Sequence, residues 1–90
     1  MNTDRVEAIR LRLTEALDPD ELEITDQSHQ HVGHEGAKSG KGHFHVRITS
    51  GLFQGLMPIR RHRLVYEALG DLMKTDIHAL SIDAEAPADS

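Results

Sequence analysis

The spacing of apolar residues predicts the first helix of this 90-residue chain over residues 4–17. Its apolar side chains recur at helical spacing on one face, at Val6, Ile9, Leu13, Ala16 and Leu17. Asp4 and Glu7, three residues apart, form a pattern typical of a capping box at a helix start. Pro19 disfavours helical geometry at Asp18, so we expect the helix to end there.

Alternation of apolar and polar residues predicts strands over residues 21–26 and 43–50. In the second strand the apolar residues point inward, and the outer face displays His43, His45 and Arg47. We expect the two strands to be antiparallel neighbours. The loop that joins them has about sixteen residues, a length typical of functional or disordered loops.

Pro58 suits the first turn of a second helix, which we expect to reach about Met73. Its predicted apolar stripe contains Ile59, His62, Val65, Tyr66, Leu69, Leu72 and Met73. Because His62 lies within the stripe, we expect it to be buried and hydrogen-bonded. The last strand is predicted over residues 77–84, with His78 at the rim where the core meets solvent.

The residue pattern alone gives the element order α-β-β-α-β. A helix between two strands usually forms a right-handed parallel crossover. We therefore predict an α+β fold, in which both helices pack on one face of a three-stranded mixed sheet. Ninety residues leave little room for a second core, so residues 1–84 are assigned to one domain. Residues 85–90 are expected to form a polar, frayed C-terminal tail.

Composition removes several classes of function. Lys and Arg number 10 against 15 Asp and Glu, and a net charge of −5 disfavours nucleic-acid binding over the whole surface. The chain has no cysteine, hence no disulfide and no thiolate. No apolar run approaches the roughly 18 residues of a membrane span, and no secretion signal is visible, so we expect a cytoplasmic protein that does not bind membranes. Without an evident nucleophile, phosphate loop or pocket, an enzyme is the least favoured class.

Histidines are the candidate chemical groups, because residues 28–45 hold five of the seven in the chain. His29, His31 and His34 lie in a glycine-containing loop and could converge on a zinc or nickel ion. The alternative is a solvated polar loop, since metal sites need convergent ligands and supporting hydrogen bonds. On the residues alone, both interpretations stay open, as does a ligand role for His78.

Cationic residues form a second candidate site. The possible basic patch consists of Arg47, Arg60, Arg61, Arg63, Lys38 and Lys41. The alternative is a solvated helix face, paired with Glu67 and Asp71.

Four segments taken together resemble the BolA-like family, in order and in separation. They read SHQHVGH, HFHVRITSGLFQG, RRHRLVYEALGDLM and IHALSIDA, and the resemblance covers the chain from Val6 to about Ala84. The resemblance implies a fold similar to class II KH domains, α-β-β-α-α-β, with an extra helical turn near LFQGLMP. KH domains bind nucleic acid through a GxxG loop. The corresponding GLFQG has three residues between its glycines, so this clamp is not matched.

The resemblance also implies a partner and a cofactor. By this resemblance, the chain would pair with a monothiol glutaredoxin, and the two proteins would share a bridging [2Fe–2S] cluster. The C-terminal ligand of the family falls on His78 and the loop ligand on His31, with His34 and His29 as competitors. Histidine ligation raises the reduction potential of such a cluster and requires unprotonated imidazole. The implied role is non-enzymatic cluster handling or iron and redox regulation, and the isolated chain would be a cluster-free monomer or weak homodimer.

A second role implied by the resemblance is that of a DNA-binding transcriptional regulator. The helix RRHRLVYEAL, residues 60–69, would be the recognition element. Arg60, Arg61 and Arg63 would contact phosphates there, and arginine also reads guanine. Arg47 and Lys41 would extend the same patch.

Overall fold

A computed structural model describes residues 2–28 and 42–89 of the chain. The regular elements are α1 (Asn2–Leu17), β1 (Glu21–Asp26), β2 (Gly42–Thr49), α2 (Pro58–Leu69), α3 (Leu72–Thr75) and β3 (Ile77–Glu85). Short 3₁₀ turns follow β2 at Gly51–Phe53 and β3 at Pro87–Asp89. The α+β prediction and the order α-β-β-α-α-β are confirmed, but the short extra α-helix is α3, after the long helix, and the turn near LFQGLMP is the 3₁₀ turn Gly51–Phe53. Within the described ranges, no helix is long and apolar enough to cross a membrane.

The sheet is mixed and has the order β1-β2-β3. β1 runs antiparallel to β2, with Leu22 opposite Ile48, and β3 runs parallel to β2, with Ile82 opposite Val46. The parallel pair follows from the helical crossover between its strands. The helices pack on one another and on the sheet face that carries these apolar residues.

The core lies between this sheet face and the helices. Its fully buried side chains include Ile9, Leu13, Phe44, Val46, Ile48, Phe53, Val65 and Leu69. The apolar face predicted for the first helix is confirmed at Ile9, Leu13 and Leu17, whereas Ala16 is exposed. The helix ends at Leu17 because Asp18, with a positive φ of 43°, and Pro19 turn the chain.

The second helix differs from the prediction in length and in orientation. It ends at Leu69 rather than near Met73, because Gly70 has φ 52°, in the left-handed region that favours glycine. Val65 and Leu69 are buried as predicted, but Ile59 and Tyr66 are 69% and 42% exposed. The predicted stripe was therefore too broad.

Arg61 explains the orientation of this helix. Its Nε donates a hydrogen bond to the carbonyl oxygen of Leu56 (2.8 Å), and its Nη1 donates to that of Ala84 on β3 (3.2 Å). The guanidinium thus faces the sheet, and its neighbour His62, predicted to be buried, is only half-buried.

The C-terminal residues also differ from the prediction. The boundary after residue 84 falls inside β3, which continues to Glu85. Ala86 is fully buried in the core, and a 3₁₀ turn follows. Small apolar side chains at the end of a strand can pack as core residues, so this segment is part of the fold.

Ser50 joins three elements at the end of the sheet remote from Ser28 and Gly42. Its side chain is fully buried, and its Oγ donates to the carbonyl oxygen of Leu17 (2.6 Å) and accepts from the amide of Leu52 (3.2 Å). The Ser50 amide donates to the carbonyl oxygen of Glu85 (3.0 Å). One residue therefore connects the ends of α1 and β3 with the turn after β2.

We predict that Ser50→Ala lowers the free energy of unfolding by about 1–3 kcal/mol, since the buried carbonyl of Leu17 and the part-buried amide of Leu52 lose their partner. Urea denaturation measures the change. Ser81→Ala is the matched control, because Ser81 is exposed and its hydrogen bond to His45 is solvent-exposed as well, and such a substitution changes stability by at most about 0.5 kcal/mol. Equal effects of the two substitutions would contradict the prediction.

Candidate functional site

The pairing of β2 with β3 shifts register where both strands begin. Gly42 lies opposite Ile77, but His43 lies opposite Ala79, so His78 is an additional residue in β3. An additional residue of this kind forms a β-bulge, which bends the strand and redirects a side chain. His78 is exposed, although Leu80, two residues later, is half-buried.

His43 lies directly beside His78. The two ring centroids are 5.1 Å apart and the ring planes are inclined by 46°. His43 is only 8% exposed, and its Nε2 atom is enclosed by protein. The alternating pattern predicted it on the outer face with His45 and Arg47, and this prediction is wrong for His43. The reason is the bulge, which brings the His78 ring over its neighbour.

Hydrogen bonds tie β1 to β2 at this corner of the sheet. The amide of Ser28 donates to Oδ1 of Asp26 (2.8 Å), and Oγ of Ser28 accepts from the amide of His43 (3.0 Å). The amide of Gln27 donates to the carbonyl oxygen of His43 (2.7 Å). The backbone on both sides of His43 is therefore fixed relative to the end of β1.

Gly42 connects the same corner to the start of β3. Its amide donates to the carbonyl oxygen of Asp76 (2.9 Å), two residues before His78. A Cβ atom at this position would lie 2.5 Å from the ring of Phe44 and 2.9 Å from Oγ of Ser28. No side chain fits there, so glycine allows the close approach of the backbone to Phe44. The Asp76 carboxylate also pairs with Nε of Arg5 on α1 (3.3 Å).

Only part of the predicted histidine set lies in the described ranges. His29, His31 and His34 lie outside them, in residues 29–41. Ser28 and Gly42, which flank that segment in the chain, both lie at the corner beside His43. Among residues 2–28 and 42–89, no group of three or more His, Asp or Glu side chains could hold a metal ion.

The residue that sequence reasoning missed is His43. A signal was present, because His43 and His78 each stand at the beginning of a strand and a crossover was predicted between these strands. Parallel neighbours begin at the same edge of a sheet, so the two histidines could have been expected side by side.

The predicted arginines, all of which the structure describes, do not form one patch. Arg61 binds backbone carbonyls, and Lys41 lies outside the described residues. Arg47 is exposed on the sheet face away from the helices, opposite Glu23 on β1 and Asp83 on β3. Arg60 and Arg63 are exposed on α2. They line a shallow groove together with Leu56, Leu64 and Glu67.

Comparison with known proteins places the chain in a family. The family described as "BolA-like protein" matches residues 13–89. The chain is 46% identical over 86 residues to "SufE-like protein 1, chloroplastic/mitochondrial" of Arabidopsis thaliana, covering 90% of this chain and 23% of that protein. It covers 56% to 58% of similar BolA1 proteins from Arabidopsis and from mammals.

A solved structure and a bacterial relative agree with this match. The structure titled "BolA domain of SufE1 from Arabidopsis thaliana" superposes with a TM-score of 0.84 at 48% identity, covering 96% of this chain and 95% of that one. The "DNA-binding transcriptional regulator BolA" of Vibrio cholerae is 37% identical over 76 residues, covering 84% of this chain and 69% of that protein. The chain therefore belongs to the BolA-like protein family.

Proposed function

We propose that this chain is a non-enzymatic partner of a monothiol glutaredoxin and co-ligates a bridging [2Fe–2S] cluster through His78. The observation that carries the proposal is the position of His78. This side chain is exposed at a bulge, beside the corner where Ser28 and Gly42 lie, the two residues that flank residues 29–41 in the chain. The resemblance to the BolA-like family implied the same residue as a ligand.

The available donor groups fit such a shared cluster. Iron–sulfur clusters are usually held by cysteine thiolates, but imidazole replaces thiolate on one iron in some of them. This chain has no cysteine and an exposed histidine, so it would supply imidazole while the partner supplies thiolates. The cluster, when bound, supplies a one-electron redox centre. The histidine's part is to present an unprotonated ring nitrogen.

The second ligand would come from the loop. His31 is three residues from Ser28, so an extended chain reaches about 10 Å from that anchor. Ser28 contacts the His43 amide at 3.0 Å, and the ring of His43 lies 5.1 Å from that of His78. On this reach we propose His31 as the loop ligand, with His34 and His29 as competitors.

We predict that His78→Ala and His31→Ala each shift the absorption and EPR spectra of the mixed complex towards those of the glutaredoxin homodimer, because a histidine ligand is lost. The control is His45→Ala, also a histidine at this sheet, whose Nδ1 bonds to Oγ of Ser81 (2.7 Å). It should leave the spectra unchanged. A mixed complex whose spectra match the homodimer from the outset, or do not respond to His78→Ala, would show that His78 is not a ligand.

A second candidate function, DNA-binding regulation, is favoured by Arg60 and Arg63. Both are exposed on α2, and their groove lies on the side of the fold away from the sheet face of Glu23 and Asp83. A local cationic surface can bind phosphates although the net charge is −5. The relative from Vibrio cholerae bears the name of a DNA-binding regulator.

If this candidate is right, Arg60→Ala and Arg63→Ala should each weaken DNA binding and reduce the slope of log affinity against log salt by about 1. Fluorescence anisotropy over a series of salt concentrations measures both quantities. Arg47→Ala is the control, because Arg47 lies on the opposite layer of the fold. If no binding is seen even at low salt, DNA binding is excluded as the function of this chain.

A further inference from the structure

We infer that His43 is a positioning residue whose buried ring fixes the orientation of the ring of His78. The inference rests on the proposed function in one respect: it takes His78 as the ligand that needs orienting. His43 lies outside the predicted ligand set, which consists of His29, His31, His34 and His78.

The geometry of the ring pair supports this role. Inclined arrangements with centroids between about 4.5 and 7 Å are preferred by aromatic pairs. The His43–His78 pair, at 5.1 Å and 46°, falls in this range. Because Nε2 of His43 is enclosed and the side chain is 8% exposed, His43 cannot reach an external ion from its present position. His78 can reach such an ion because its side chain is exposed. The ring of His43 therefore supports the ring of His78, which is available as a ligand.

His43 is fixed more firmly than an ordinary residue at the end of a strand. Its amide and its carbonyl are both bonded to the last residues after β1, at 3.0 and 2.7 Å. The preceding Gly42 is bonded to Asp76 at 2.9 Å and has no room for a Cβ atom. These contacts hold the backbone of His43 at a constant place relative to the beginning of β3, and burial restricts the movement of its ring.

The consequence concerns the ligand itself. An exposed histidine at the beginning of a strand loses side-chain conformational freedom when it binds a metal. A ring already oriented by a neighbour loses less, and residues that orient ligands typically change metal affinity by about 10- to 100-fold when replaced. We therefore expect His43 to affect how long a cluster stays bound, without touching it.

The first part of the test uses the isolated chain and NMR. Inter-ring NOEs and ¹³C relaxation of the His78 ring are measured in the wild type and in His43→Leu, His43→Gln and His43→Phe. The wild type and His43→Phe, which keeps a planar ring, should show one ordered His78 ring. His43→Leu and His43→Gln, which lack a ring, should show a disordered one. Two ringless variants are used so that, if one of them fails to fold, the other can still be tested. Urea denaturation establishes which variant is folded.

The second part uses the complex with the glutaredoxin and its cluster. The folded ringless variant should release the cluster about tenfold faster and broaden the EPR signal of the reduced cluster, with His43→Phe within about twofold of the wild type. An ordered His78 ring together with an unchanged rate of release in the ringless variant would overturn the role of His43. If His78→Ala leaves the spectra unchanged, the proposed function fails instead, and the NMR data on the isolated chain still decide whether His43 orients His78.

Discussion

The parallel pairing of β2 with β3, together with its register shift, is the constraint on which the rest of the structure depends. The pairing places the beginnings of both strands side by side, and the shift inserts His78 as an additional residue opposite the step from Gly42 to His43. Without a side chain at Gly42, the backbone can approach Phe44 closely enough to bond to Asp76. Gly42 therefore connects the core, through Phe44, with the neighbouring pair His43 and His78.

The polar residues at the two ends of the sheet have different roles. At one end, Ser50 and Arg61 use polar groups to satisfy backbone carbonyls and to connect α1, α2 and β3. At the other end, hydrogen bonds fix the backbone around His43, while the ring of His78 stays exposed. The polar groups of Ser50 and Arg61 thus stabilise the fold, whereas the ring of His78 remains exposed to solvent. The degree of burial distinguishes these two roles.

The basic residues also divide into those that bind groups within the fold and those that are exposed. Arg60, Arg61 and Arg63 are close in sequence, but the helix places Arg60 and Arg63 on one exposed face and turns Arg61 towards the sheet. Arg47 belongs to the opposite layer, among acidic neighbours. Of the predicted basic residues that the structure describes, Arg60 and Arg63 therefore remain as an exposed cationic pair on α2.

The sequence by itself determined the two long helices, the three strands, the fold class and His78 as a rim residue, because alternation and helical periodicity are local properties of the chain. It also indicated the family through motifs that cover most of its length. Only the tertiary structure decided the bulge, the end of α2 at Gly70, the inward position of Arg61 and the burial of His43 and Ala86. Each of these depends on contacts between residues that are distant in the chain, or on a single backbone angle, and hydrophobic periodicity carries no information about either.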